Sequence, residues 1–165
     1  YYIGVFGYKS CSYLLKVQSS RSCPNSCTDS AHGYCQQAHC ICQDGWTGDD
    51  CSIANNVLTI GTTVTNTMLA GNWSYYSVAV KAGYEVTILM RELDSVGFLW
   101  LYESRDPSPS MITYDYADTE SNTATHRIVF IPESDMIAHI GVFASPFTRP
   151  NVNYGFKLVV WQASF

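Results

Sequence analysis

Six cysteines, Cys23, Cys27, Cys35, Cys40, Cys42 and Cys51, fall within 29 residues; a seventh, Cys11, precedes them, and the 114 residues from Ser52 to Phe165 contain none. So short a segment buries too little apolar surface to offset the entropy of ordering it, and covalent cross-links must supply the difference. The cysteine-free remainder is long enough to fold on burial alone. Two modules with different stabilising strategies are therefore expected, over residues 19–52 and 53–165, preceded by a short segment, 1–18. Disulfides persist in oxidising compartments, which places the chain outside the cytosol, secreted or at a cell surface. A zinc site is the competing reading, because His39 and Cys40 stand beside Cys42. Clustered zinc ligands usually come as C-x2-C pairs, which this chain lacks, so neither metal nor cofactor is expected. His32 and His39 then read as exposed loop residues.

The spacing is C-x3-C-x7-C-x4-C-x-C-x8-C, and its second half reads C-x-C-x2-G-W-x-G-x2-C. Gly45 and Gly48 bracket Trp46 in a loop too short for regular structure, which suits backbone positions with positive φ under a ring that covers the disulfides. This pattern resembles the EGF-like family, in particular its tenascin-like members. The resemblance implies the pairs Cys23 with Cys35, Cys27 with Cys40, and Cys42 with Cys51. Calcium-binding members carry acidic or amide residues before the first cysteine, where this chain has Ser19-Ser20-Arg21-Ser22. The O-fucose pattern needs Ser or Thr at the place of Tyr34, and the O-glucose pattern between Cys23 and Cys27 is absent as well. A rigid spacer is the function left to the module.

From Asn56 onward, strand-sized apolar runs alternate with turn residues and nothing shows sustained helical periodicity. The fold class is all-β, an eight-stranded antiparallel β-sandwich of jelly-roll type, with strands expected over 57–65, 75–80, 84–93, 97–104, 111–116, 125–131, 139–144 and 154–161. In one of them Tyr84, Val86, Ile88 and Met90 share a face, with Glu85 and Thr87 on the other. The stretch GNWSYYSVAVKAGYEVTILM followed by GFLWLYES resembles the pre-peptidase C-terminal β-sandwich family, a resemblance that bears on fold.

Asn72-Trp73-Ser74 is an N-glycosylation sequon in a turn between expected strands, making Asn72 a candidate for covalent glycan; Ser108 and Ser110, interleaved with prolines, are candidates for O-linked sugar. A partial internal repeat is also present. Ile3-Gly4-Val5-Phe6 matches Ile140-Gly141-Val142-Phe143, and Tyr13-Leu14-Leu15-Lys16-Val17 follows the pattern of Tyr154-Gly155-Phe156-Lys157-Leu158. On this reading residues 1–18 are a β-hairpin, the tail of a preceding or neighbouring sandwich, and the chain, which begins at Tyr1 without a signal peptide, is a slice of a longer array. Head-to-tail contact of such units gives a linear assembly with copies of itself as partners. The alternative is that the hairpin packs on its own sandwich. Cys11, left over by the pairing scheme, is a candidate for a bond to another chain or to a segment outside this sequence, or else is a buried free thiol.

A net charge of -5, with nine Lys and Arg scattered singly, offers no basic stripe to nucleic acid and no polybasic patch to anionic lipid. No run approaches the roughly 20 apolar residues of a membrane span. His126 and His139 lie in expected strands, yet no nucleophile elbow, paired metal-ligand motif or phosphate loop accompanies them, so the chain reads as no enzyme. Asp94, Glu103, Asp106, Asp115 and Asp118 read as solvated surface. Trp73, Tyr75, Tyr76, Tyr114 and Tyr116 are candidates for a sugar-stacking or partner-contact surface. The expected function is a structural subunit of a glycosylated extracellular filament; the alternative is a carbohydrate- or protein-binding adhesion module.

Overall fold

The computed structural model describes residues 22–93, 98–146 and 152–164. The hairpin expected over 1–18, with Cys11, and the acidic Asp94 lie outside the described residues.

The described chain is all-β. A hairpin of β1 (Gly33–Gln36) and β2 (His39–Cys42) sits in the cysteine-rich segment, followed by β3 (Trp46–Thr47). Then come β4 (Ile53–Val57), β5 (Val64–Leu69), β6 (Trp73–Val80), β7 (Glu85–Glu92), β8 (Leu99–Ser104), β9 (Tyr116–Asp118), β10 (Thr125–Phe130), β11 (Met136–Ala144) and β12 (Asn153–Ala163). A four-stranded sheet has the order β10-β7-β12-β5, and a six-stranded sheet the order β3-β4-β6-β11-β8-β9. All pairings are antiparallel except β4 with β6, which is parallel. No helix among the described residues is long and apolar enough to cross a membrane.

The two sheets close over one core. Val86, Ile88 and Met90 of β7, and Phe156, Leu158 and Val160 of β12, meet Tyr76, Val78 and Val80 of β6, Leu99 and Leu101 of β8, and Ile140 and Val142 of β11. The alternation that reads in the sequence of β7 is the alternation of burial, Val86, Ile88 and Met90 being fully buried while Tyr84, just before the strand, is exposed. Burying one such side chain is worth about 1.5–3 kcal/mol, which suffices without cross-links over this many residues.

Two expected strands take a different form. The run over 57–65 is divided, because β4 joins the six-stranded sheet and β5 the four-stranded one, so the chain must cross between layers. Gly61, at φ 79°, and the bond from Thr62 N–H to the Thr59 carbonyl at 3.0 Å make that crossing. The run over 111–116 is mostly a tight turn: Ser110 N–H donates to the Thr113 carbonyl at 2.8 Å, and the Ser110 hydroxyl accepts from Thr113 N–H at 3.1 Å. Only Tyr116 enters β9.

In the cysteine-rich segment, disulfides join Cys23 to Cys35, Cys27 to Cys40 and Cys42 to Cys51. The Cys23, Cys27 and Cys40 sulfurs lie close together because two disulfides are side by side, and bonded sulfurs are not thiolates able to ligate zinc. Gly45 and Gly48 have φ 87° and 95°, and Trp46 packs on the disulfides. His32 is not simply a loop residue: its ring lies 3.7 Å, centroid to centroid, from that of Trp46, and its Nδ1 is 2.6 Å from Asp29. This hydrogen bond holds the Asp29 carboxyl below the usual range.

Candidate functional site

The site is built on the outer face of the six-stranded sheet. Along β8 the residues alternate, Leu99 and Leu101 into the core and Trp100 and Tyr102 outward; β6 adds Trp73 and Tyr75 on the same side, and β11 adds Gly141 and Phe143, with Phe143 opposite both Trp73 and Trp100. Trp73 is the hub, its ring centroid 5.6 Å from Tyr75, 5.3 Å from Tyr102 and 4.9 Å from Phe143. Gly141 leaves the space this cluster needs: a Cβ there would meet Trp73 Cζ3 at 3.0 Å and Pro109 Cγ at 3.1 Å. The buried Pro109 thus brings the connection between β8 and β9 down onto the sheet at Gly141.

That connection separates two depressions. On one side, Trp100, Tyr102, Met111, Tyr114, Ala117 and Thr119 line an open concavity of about 460 Å³. Tyr114 and Met111 are about half exposed, and the Tyr114 ring stands edge-on to Tyr102 at 5.5 Å. On the other side, a cleft of about 1110 Å³ runs between the disulfide-bonded segment and the sandwich. The main chain bridges that cleft at its base, where β3 pairs with β4 through Trp46 with Ala54 and Thr47 with Ile53.

Of the aromatic residues singled out in the sequence, Tyr114 alone lies in the concavity. Tyr76 belongs to the core, its hydroxyl accepting from Asn66 Nδ2 at 2.8 Å; Tyr75 is buried, and Trp73 half-buried. Tyr116 is half exposed on the opposite face of β9, stacked on Phe130. Trp100 and Tyr102 escape sequence reasoning because GFLWLY presents as one continuous apolar run. The outward set is apolar too, since Pro109 and Tyr114 cover part of it.

Glu103 corrects the reading of the acidic residues as surface. It is 1 % exposed, and neither carboxylate oxygen has a hydrogen-bond partner among the described residues. Burial, aided by the nearby Asp115 and opposed by Arg105, pushes its pKa up to about 7. Asp118 is only partly exposed and belongs with His126 and Glu92 in a clamp between the sheets. His126 is fully buried, its Nε2 3.3 Å from Glu92 Oε1 and its Nδ1 3.2 Å from Asp118 Oδ1. Glu92 Oε1 also accepts from Phe98 and Leu99 N–H at 3.0 Å each, and Asp118 Oδ2 from Arg127 N–H at 2.8 Å. Burial pushes His126 down, but the bonds to Glu92 and then Asp118 outweigh it and the net shift is upward. His139 lies on the outer face instead, where burial lowers its pKa against the pull of Asp106. No serine or cysteine nucleophile stands at hydrogen-bond distance from either imidazole among the hydrogen bonds of the described residues.

Asn72 is exposed in the turn between β5 and β6, its N–H donating to the Leu69 carbonyl at 3.1 Å. Ser108 is partly buried, and its hydroxyl lies 2.7 Å from that of Thr47; Ser110 is partly buried in the turn described above.

No protein-family model matches the chain, and no curated protein does either. Solved structures do. The pre-peptidase C-terminal domain of collagenase from Bacillus anthracis superposes with a TM-score of 0.51 at 15% identity, covering 66% of this chain and 95% of that one. A periplasmic inhibitor of g-type lysozyme from Aeromonas hydrophila gives 0.51 at 12% identity, over 67% and 96%. At these identities the likeness is one of fold: the chain carries a β-sandwich similar to that of a pre-peptidase C-terminal domain.

Proposed function

We propose that this chain is a non-catalytic extracellular binding module whose sandwich holds a neutral sugar unit in the aromatic concavity beside β8. The observation that carries this reading is an accessible aromatic lining, Tyr114 and Trp100 with Met111, in a depression the size of one or two sugar rings. An aromatic face offers dispersion and quadrupole contacts to the C–H face of a pyranose, while Thr119 at the rim supplies a hydroxyl. Two solved relatives of the fold are a domain of a collagenase and an inhibitor protein, which supports a non-catalytic role. The three disulfides support an extracellular location. Residues 19–52 serve as an EGF-like spacer and residues 53–165 as the binding domain, with Asn72 as a glycan attachment point on an exposed turn. A glycan array followed by calorimetry tests the reading. Tyr114→Ala should weaken sugar binding at least tenfold without lowering the melting temperature, and a fully inert array would refute it.

A second reading, linear self-assembly, is favoured by where the repeat falls. Ile140–Phe143 lies in β11, between β6 and β8, and Tyr154–Leu158 in β12, between β7 and β5. A segment with the sequence of two central strands, one per sheet, is suited to completing a different sandwich, because this one already holds both. Cys11→Ser should then abolish covalent oligomers seen under oxidising conditions, read by non-reducing electrophoresis; a wild-type chain that stays monomeric at high concentration would exclude this assembly.

A further inference from the structure

We propose that the cleft between the disulfide-bonded segment and the sandwich is a second binding site, for a neutral oligosaccharide, distinct from the aromatic concavity. Its walls come from two elements of different origin. The backbone of Cys40 to Cys42, with His39, forms one wall, and His139 with the 107–113 connection forms the other. Two disulfides fix the first wall, since Cys40 and Cys42 are bonded to Cys27 and Cys51. The β3–β4 ladder fixes the distance between them. The site is therefore formed before any ligand arrives, which lowers the ordering cost of binding.

The lining selects the ligand class. Ser110, Thr113, His39 and His139 line the cleft, and among the described residues Asp49 is its one carboxylate and no Lys or Arg lines it. An anionic sugar, a phosphate or a sulfate would find no counter-charge. A hydroxyl both donates and accepts, which matches a polyol. Burial keeps His139 neutral near pH 7. Trp46 and Ile53 add apolar contact for ring C–H groups.

A further observation points to the same place. Ser108, which also lines the cleft, holds a left-handed φ of 63°. Such a conformation is uncommon for a residue other than glycine and costs on the order of 1 kcal/mol or more. It is held by the hydroxyl bond to the buried Thr47. That bond ties the 107–113 connection to the disulfide-bonded segment and so helps keep the two walls in place.

The test is a titration of the full chain, followed by the indole N–H signals of its tryptophans, with cellohexaose, mannohexaose and N-acetylchitohexaose. Trp46 reports the cleft and Trp100 the concavity. At least one of these sugars should shift Trp46. His39→Ala, on an exposed side chain, and His139→Gln should each weaken that shift fivefold or more, while Tyr114→Ala leaves it unchanged. Oligogalacturonate should not compete. The proposal is overturned if no neutral sugar moves Trp46, if oligogalacturonate binds there more tightly, if a neutral hexapeptide pool moves Trp46 where sugars do not, or if the shift survives both histidine variants. Loss of the Trp100 response alone, with Trp46 intact, would count against the aromatic concavity and leave the cleft standing.

Discussion

The disulfide-bonded segment and the sandwich solve the same problem in opposite ways. In the segment, the buried apolar residues are its own half-cystines, Cys23, Cys27 and Cys51, with Cys40, Cys42 and Trp46 packed around them. Its chain even runs through left-handed angles at four successive residues, Asn25 to Thr28, a path that local preference disfavours and that the Cys23 and Cys27 bonds impose. In the sandwich, aliphatic and aromatic side chains from both sheets form a continuous core, and among the described residues Glu92, His126 and Glu103 are its buried acidic and basic side chains. Stability in the first region is chiefly covalent; in the second it is packed, with titratable groups buried inside it.

The sharpest way to break this contrast is at His126. Its imidazolium sits between Glu92 from the four-stranded sheet and Asp118 from the six-stranded one. His126→Ala leaves two carboxylates facing a cavity, and breaking a buried ion pair on one side costs about 4 kcal/mol. The sandwich should melt far lower at pH 7 while all three disulfides stay formed, as read by circular dichroism and thiol titration. A change under 1 kcal/mol would mean the clamp does not hold the sheets. Next in size is the removal of one staple. Cys27→Ala with Cys40→Ala opens the bond between residues 27 and 40 and should cost about 3 kcal/mol. Hydrogen exchange should show the loss in β1 and β2, with β7 still protected; equal loss in β7 would show that the two regions unfold as one unit.

How much of this was legible in the sequence differs between the same two regions. Cysteine positions locate the stapled segment because each cysteine is conspicuous and its role covalent. Alternation exposes β7 and β10, where one face meets the core and the other water. It fails at β8, where Trp100 and Tyr102 are aromatic and face outward, so both faces read as apolar. It fails again at 57–65, where β character continues through a change of sheet. Asp118 and Glu103 read as surface in the sequence because position along the chain says nothing about which face of a strand a charge occupies. The clamp was invisible for the same reason: its members come from β7, β9 and β10, and only tertiary structure brings them together. The concavity and the cleft depend on a connection folding back over Gly141, which no local pattern announces.

Glu103 sharpens the contrast by making part of the sandwich's stability a function of pH. Its folded pKa of about 7 lies above the 4.5 of an unperturbed glutamate. The folded state therefore holds the proton more tightly, and this contribution is complete below pH 4.5, declines as pH rises, and is lost through pH 7. His126, also shifted upward, acts in the same direction: its contribution is full below 6.5 and disappears above its raised value. Unfolding free energy should thus fall between pH 5 and 8. Glu103→Gln removes the charge but not the volume, so it should stabilise the protein by roughly 2 kcal/mol at pH 8 and have little effect at pH 4.5. Urea titrations at both values check this, and an equal effect at the two would show that Glu103 does not titrate in this range.

The smallest effect is expected where the two regions meet. Thr47 belongs to the two-residue β3, Ser108 to the connection that covers the sandwich, and their hydroxyls lie 2.7 Å apart with Thr47 buried. Thr47→Val keeps shape and deletes the bond, a loss of about 1 kcal/mol. Ser108→Gly deletes the same bond but relieves the left-handed backbone, so its net cost should be smaller. The informative quantity is therefore the coupling in a double-mutant cycle, because strain relief belongs to Ser108 alone and cancels from it. A coupling near 1 kcal/mol would show that a side-chain contact, and not only the β3–β4 ladder, transmits stability from the covalent region to the packed one. A coupling of zero would leave the backbone ladder as the sole joint between them.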